Sequence, residues 1–255
     1  MIGKNMHRYI ILMLAYFVSF DFLIARDIDS LLMRIYDRAQ QQEIAREQMC
    51  DYSYHQSVHF IKRDGDGDIE EQSLREFKVY VRPPDFNKRL LISAQNYKHG
   101  NWSDVTAAEC NKERKTESQQ FSLTEMVAPE NRSMYSFAVS DTGTEKQDSL
   151  ICLTVRAIKK DDKHFDGRLW FRAEDYTLIR AELKPSDTSV GIKSMCMKFD
   201  MASVENYWLP ARVFLEAHLS FLFFFKGSIQ TTIDFSDYQL NQDLPDSLLF
   251  EDPEN

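Results

Sequence analysis

The clearest pattern in the chain is an alternation of apolar residues over thirteen positions, from Val213 to Phe225. Every odd position of this run is apolar, and the even positions 216, 218 and 220 are polar. A period of two is typical of a β-strand with one face in a core. We therefore predict one long strand over 211–225, with apolar side chains on both faces in its last third. Such a strand suits a large curved sheet that encloses something hydrophobic, either the protein's own helices or a ligand.

Shorter alternating runs, separated by turn residues, extend this picture to a mainly antiparallel β protein. We predict ten strands, over 52–62, 74–82, 88–94, 134–140, 150–158, 168–173, 177–184, 192–201, 211–225 and 227–238. Most connections are too short for a crossover helix, so consecutive strands are expected to pair as hairpins. Residues 97–120 are polar and weakly periodic, which indicates a long loop.

Two helices accompany the strands. The first is predicted over 29–49, where apolar side chains recur at the spacing of one helix face. Four residues mark that face: Leu32, Ile35, Ala39 and Ile44. The second is a short helix over 121–127, which Pro129 ends.

The N-terminus has the layout of an export signal. Lys4, His7 and Arg8 precede a twelve-residue apolar run over 9–20, which is too short for a comfortable membrane span. We expect residues 1–25 to be a cleaved signal peptide and residues 26–255 to form a single domain in the periplasm. An uncleaved anchor and a buried helix are the alternatives.

The four cysteines leave the pairing open. In an exported protein Cys50, Cys110, Cys152 and Cys196 could form two disulfides, with three possible pairings. Their spacing matches no zinc motif. Because Cys152 and Cys196 lie inside predicted strands, buried free thiols are the other interpretation.

Composition and missing motifs exclude several classes of function. A net charge of −9 and a pI near 5.2 argue against nucleic-acid binding. The chain has 8 glycines and contains no GxGxxG, GxxxxGK[ST] or GxSxG motif. We therefore expect no enzyme, no catalytic residue and no cofactor.

Two segments contain residues that often bind metal ions, but neither has a complete set of ligands. Carboxylates two residues apart over 64–68 resemble the start of a calcium loop, but Ile69 and Arg75 replace the glycine and glutamate that such a loop needs. His55 and His59 share a strand face with no further ligand at motif spacing. We predict a solvated turn and no metal.

Motifs in the second half of the chain resemble a bacterial family. They read DGRLWF at 166–171, DYTLIRAE at 175–182, NYWLPA at 206–211 and IDFSDY at 233–238. This pattern resembles the hairpins of bacterial outer-membrane lipoprotein-sorting proteins and their LolA/LolB-like relatives. The first half of the chain matches that superfamily in layout only.

The resemblance implies an α+β fold in which a strongly curved, incomplete antiparallel β-barrel is covered by helices on its concave face. It implies a periplasmic protein that carries acyl chains of lipids or lipoproteins, with an inner-membrane donor and an outer-membrane acceptor as partners. A sensor or interaction module with the same half-barrel is the alternative.

The alternation supplies the candidate cavity lining. We expect nine residues to face the acyl chain: Ile179, Leu183, Met195, Met197, Phe199, Leu219, Phe221, Phe223 and Phe225. Flexible methionine side chains adapt well to varied apolar ligands. Plain core packing is the competing interpretation for each of the nine.

Overall fold

In the part of the chain that the structure describes, eleven antiparallel strands form one curved sheet that does not close into a barrel. The computed structural model describes residues 28–84, 86–98, 100–106, 123–145, 148–221, 225–246 and 248, and the side chains of all of these except 123, 141–145, 148, 221 and 225. The predicted signal peptide over 1–25 lies outside these residues.

The strands follow each other along the chain as hairpins. They are β1 (Tyr52–Arg63), β2 (Ile69–Arg82), β3 (Phe86–Lys98), β4 (Asn101–Asp104), β5 (Tyr135–Glu145), β6 (Asp148–Ala157), β7 (Phe165–Arg172), β8 (Leu178–Pro185), β9 (Ile192–Val204), β10 (Tyr207–Phe221) and β11 (Phe225–Gln239). The order across the sheet is β4-β3-β2-β1-β11-β10-β9-β8-β7-β6-β5. The pairing of β11 with β1 joins the two halves, while β4 and β5 form the edges. The predicted fold class, an α+β fold with a strongly curved, incomplete antiparallel barrel covered by helices on its concave face, is confirmed, and the described helices are few.

Helical segments accompany these strands in the described chain. Helix α1 covers residues 28–47, and helix α2 is Leu123–Val127. A 3₁₀ helix, Pro129–Met134, leads into β5. Within the described residues, none of the helices is both long enough and apolar enough to cross a membrane.

The long strand predicted over 211–225 is wrong at its C-terminal end. Strand β10 ends at Phe221, and Phe221 pairs with Phe225 of β11 across an antiparallel ladder. The strand that begins at Phe225 therefore runs antiparallel to β10 and does not continue it. The alternation hides this reversal because the residues before Lys226 include none of the usual turn formers.

Helices α1 and α2 pack on one face of the sheet, here called the inner face, over strands β6 to β8. Buried side chains from all five elements form one core cluster: Leu32, Ile35, Met126, Val127, Leu153, Val155, Leu169, Phe171, Ala181 and Leu183. Ile44, predicted on the buried helix face, is 49% exposed. The core is therefore dense on one side of the half-barrel.

The outer face of strands β8 to β11 carries ion pairs between neighbouring strands. Arg180 of β8 and Asp200 of β9 lie opposite each other, 2.9 Å apart. Arg212 of β10 and Asp234 of β11 continue this row, each directly opposite its partner. Opposite charges in register stabilise cross-strand pairs modestly and mark the face that water reaches.

Candidate functional site: an apolar cavity under helix α1

A cavity of about 420 Å³ lies between helix α1 and the inner face of the sheet. This volume is within the range of small-molecule sites, about 300–1,000 Å³. The walls come from α1, α2 and strands β7 to β11. The cavity thus lies at the border between the dense core and the less covered half of the inner face.

One stripe of α1 forms the helical wall. Ile35, Ala39, Gln42 and Arg46 all line the cavity, at intervals of four, three and four residues. Such intervals place side chains on the same helix face. The stripe changes from apolar to polar towards the C-terminal end of the helix, so the cavity has an apolar part and a polar end.

The sheet supplies mainly aromatic and aliphatic side chains to the opposite wall. Phe171, Phe199, Val213 and Phe235 come from four different strands, and Trp208 comes from the start of β10. Phe199 and Val213 are directly opposite each other in the β9–β10 ladder. Because residues of one face alternate along each strand, this wall follows from the register of the sheet.

The predicted lining residues fall into four groups. Phe199 lines the cavity, while Leu183 belongs to the buried core and Met197 packs against it. Leu219 is half-buried beside Gly227, beyond the cavity, and Met195 is half-buried opposite Ala217. Phe221 ends β10 and Phe225 begins β11, but the structure does not describe the side chains of these two residues. Phe223 lies outside the described residues.

Ile179 does not line the cavity because of a β-bulge between β7 and β8. Trp170 pairs with Arg180, whereas the next residue, Phe171, pairs with Leu178. Ile179 is the extra residue of that irregularity, and Leu178 takes the cavity-lining position. Strict alternation counted along β8 cannot anticipate such a shift.

The turn between β7 and β8 holds α1 through polar contacts. The Thr177 hydroxyl accepts hydrogen bonds from Arg38 Nε, at 3.1 Å, and from Gln42 Nε2, at 3.0 Å. It donates to Asp175 Oδ2 at 2.8 Å, and Arg38 Nη2 reaches the same oxygen at 3.0 Å. One turn earlier on the helix, Arg34 donates to the Tyr176 hydroxyl at 2.8 Å. The DYTL segment quoted from the sequence is therefore a docking site for α1.

The electrostatics of this turn follow from its contacts. Burial raises the pKa of Asp175, but hydrogen bonds from Thr177 and the positive charges of Arg172 and Arg38 outweigh burial. The net result is a pKa below the ordinary value for an aspartate. The carboxylate is therefore charged when α1 is docked.

Tyrosines continue the aromatic wall from the cavity along β1. The Tyr54 ring lies 5.8 Å from the Phe235 ring and 6.3 Å from the Tyr52 ring. Burial raises the pKa of Tyr54 to about 12 and also raises that of Tyr52, against the opposing charge of Arg46. The phenols are therefore neutral hydrogen-bonding groups near the polar end of the cavity.

Sequence reasoning missed the residues of the polar end. Gln42 and Arg46 lie three and seven residues after Ala39, so extending the stripe of Ile35 and Ala39 by two helical turns would have found them. Trp208 stands inside the quoted NYWLPA segment. The spacing signal was present, but nothing in it showed that the stripe faces a cavity.

The described residues contain no group of three or more histidine, cysteine or acidic side chains that could hold a metal ion. His55 pairs with Glu76 and His59 contacts Gln72. Cys50, Cys152 and Cys196 are free thiols, and Cys110 lies outside the described residues. No disulfide joins these three cysteines.

Fold and site together define a class: an incomplete antiparallel half-barrel with an apolar cavity beneath a docked helix. No protein-family model matches the chain, and no curated protein sequence matches it either. Several solved structures are similar to it over most of their length.

Three of these structures come from bacteria. A LolA superfamily protein from Nitrosomonas europaea is 13% identical, with 87% of this chain and 96% of that chain covered and a TM-score of 0.36. A DUF1329 family protein from Desulfovibrio piger is 12% identical, covered at 86% and 97%, with a TM-score of 0.38. A putative outer membrane lipoprotein-sorting protein domain from Vibrio parahaemolyticus is 10% identical, covered at 85% and 96%, with a TM-score of 0.38.

The superfamily that the hairpin motifs resemble is therefore present among the structural matches. At 10–13% identity and TM-scores below 0.5, this likeness carries no inference about a ligand or partner. Any function has to be argued from the residues of this chain.

Proposed function

We propose that the protein binds an acyl chain of a lipid or lipoprotein in the cavity under α1 and carries it through the periplasm. The observation that supports this most is the cavity itself, about 420 Å³ in volume and walled mainly by aromatic and aliphatic side chains. Burying one methylene group gains about 0.8 kcal/mol. A chain of several methylenes could therefore bind by burial alone, after the cost of ordering it.

The inner face next to the cavity, which the described helices leave uncovered, supports the same proposal. Ile233, Met201 and Leu215 are half-buried, although the register places them on the face that is densely packed over β6 to β8. Apolar surface that stays partly accessible to water on a folded protein commonly marks a binding site. An acyl chain could extend from the cavity along this face.

Filling the cavity by mutation tests the proposal. Ala39→Trp places a large ring at a cavity-lining position, and Gln41→Trp places the same ring on an exposed position of the same helix. We expect Ala39→Trp to weaken binding of dansyl-undecanoic acid by about tenfold or more, equivalent to about 1.4 kcal/mol. Gln41→Trp should bind as the unmodified protein does.

Native mass spectrometry of freshly purified protein gives an independent measure, since a carrier should retain an acyl lipid. Circular dichroism and thermal melting of both variants establish that they are folded. An unmodified, delipidated protein that binds none of the fluorescent acid would refute acyl-chain binding. Equal loss of binding in both variants would place the site elsewhere.

A periplasmic location and exchange with an inner-membrane donor and an outer-membrane acceptor are further parts of this proposal. They depend on export through residues 1–25, which lie outside the described residues. Fractionation of cells that express the full chain, with and without these residues, tests the location. Recovery of both forms in the cytoplasm would contradict it.

A further inference from the structure

The charged residues that border the cavity differ in whether they have a counter-ion. Three charged residues border the cavity: Arg46 on the helical wall, and Asp200 and Arg212, whose side chains lie on the outer face of the sheet. Asp200 is paired with Arg180 at 2.9 Å, and Arg212 is paired with Asp234. These pairs neutralise the two sheet residues.

Arg46 has no such counter-ion in the part of the chain that the structure describes. Within the described residues, neither Glu43 nor Glu47 forms an ion pair with the Arg46 guanidinium, and the Arg46 side chain makes no hydrogen bond. Arg46 is exposed to solvent and belongs to the cavity-lining stripe of α1. An unpaired positive charge therefore stands where the apolar wall ends.

The surroundings of Arg46 suit an anionic group. Burial raises the pKa of the Tyr52 phenol against the opposing charge of Arg46, so the phenol is neutral. The aromatic row from Tyr52 through Tyr54 to Phe235 leads to the cavity. A guanidinium binds carboxylate or phosphate oxygens through two parallel hydrogen bonds. The chain as a whole has a net charge of −9, so a positive mouth is a local feature.

We propose that the ligand is a single-chain amphiphile with an anionic head group, carboxylate or phosphate, which Arg46 binds while the acyl chain lies in the cavity. This inference rests on the proposed function and adds the charge of the ligand to it. A volume of about 420 Å³ is at the lower end of ligand sites, which favours one chain over two. The head group stays at the mouth and keeps part of its hydration.

The test compares head groups at constant chain length. Isothermal titration calorimetry measures binding of dodecanoate, dodecyl phosphate and dodecanol to the full chain and to three variants. Arg46→Gln removes the positive charge. Arg46→Lys keeps the positive charge but lacks the planar guanidinium that makes two parallel hydrogen bonds. Arg156→Gln is the matched control, because it removes one positive charge from an exposed position of β6 whose neighbours Val155 and Ala157 are buried.

The expected result is a loss that depends on the head group. Arg46→Gln should weaken binding of dodecanoate about tenfold and change that of dodecanol by less than about twofold. Arg46→Lys should recover part of the loss, and Arg156→Gln should change neither affinity by more than about twofold. If Arg46→Gln weakens binding of both dodecanoate and dodecyl phosphate, Arg46 recognises the negative charge that the two share. If it weakens binding of only one of them, Arg46 selects that head group.

Two outcomes overturn the inference in different ways. If Arg46→Gln affects dodecanoate and dodecanol equally, or affects neither, Arg46 does not select an anion although the cavity binds a chain. If the unmodified protein binds none of the three compounds, acyl-chain binding itself fails and the inference fails with it.

Discussion

Replacing Thr177 by valine tests how helix α1 is held on the sheet. The Thr177 side chain is fully buried, and its hydroxyl joins Arg38 and Gln42 of the helix to Asp175 of the β7–β8 turn. Valine keeps the shape and removes three hydrogen bonds. Each contributes about 1 kcal/mol net, but the partners are partly exposed and can bind water instead, so we expect a loss of about 2 kcal/mol.

The matched control is Thr154→Val, because Thr154 is a half-buried residue of β6 beside the core residues Leu153 and Val155. Chemical denaturation should show a loss of about 2 kcal/mol for Thr177→Val and less than about 0.5 kcal/mol for the control. In a domain of this size, such a loss lowers the melting temperature by about 4–8 °C. Hydrogen exchange should increase in residues 28–47 and stay unchanged in β9 to β11.

The reasoning is refuted if Thr177→Val leaves both the unfolding free energy and the exchange of residues 28–47 unchanged. In that case the apolar contacts of Leu32 and Ile35 would hold the helix without the polar turn. If stability falls while exchange rises uniformly over the sheet, Thr177 would support the whole fold and not the docked helix in particular.

Two further predictions concern the same hairpin. Gly167→Ala should destabilise the protein by more than about 2 kcal/mol in denaturant titrations, because an added Cβ would lie 2.1 Å from the Glu182 carbonyl oxygen; an unchanged midpoint would contradict this close approach. The pKa of Asp175 is lowered in the folded state, so its stabilising contribution is present above about pH 4 and is lost as pH falls through the folded pKa. Asp175→Asn should flatten the acid dependence of the melting temperature, and an identical profile would exclude this role.

Much of the fold could be predicted because alternation reports which strand face is buried. The strand predicted over 150–158 corresponds to β6, and that over 177–184 to β8, each within one or two residues. Burial of one face forces a period of two, so the sequence carries this information locally. The same logic missed β4, Asn101–Asp104, because all of its residues are exposed and it has no buried face to mark it.

The candidate site was harder to predict because it depends on relations between distant segments. The β-bulge at Trp170 and Phe171 moves Leu178 into the cavity wall in place of Ile179. Which strands α1 crosses is decided by its docking to Thr177, more than 130 residues away in sequence. Neither the bulge nor the docking contact produces a periodic pattern within one segment. The apolar face of α1 could therefore be predicted, but the strand residues that face it across the cavity could not.

The cavity follows from a mismatch in size between the helix and the sheet. Eleven strands at about 4.8 Å spacing make a sheet about 50 Å wide. Helix α1, residues 28–47, is about 30 Å long and about 10 Å across, so it covers only part of that surface. Among the described elements, α1 and α2 bury the inner face over β6 to β8.

The alternation nevertheless keeps the inner face apolar across β9 to β11. There, the outer face already carries the ion pairs of Arg180, Asp200, Arg212 and Asp234, so a register slip that turned the apolar face outward would bury these charges. A shift in strand register therefore cannot remove the apolar residues from the inner face without burying charges. Beside α1 it retains an apolar surface that is only half-buried, and an apolar ligand that covered this surface would be stabilised by the same burial that holds the core together.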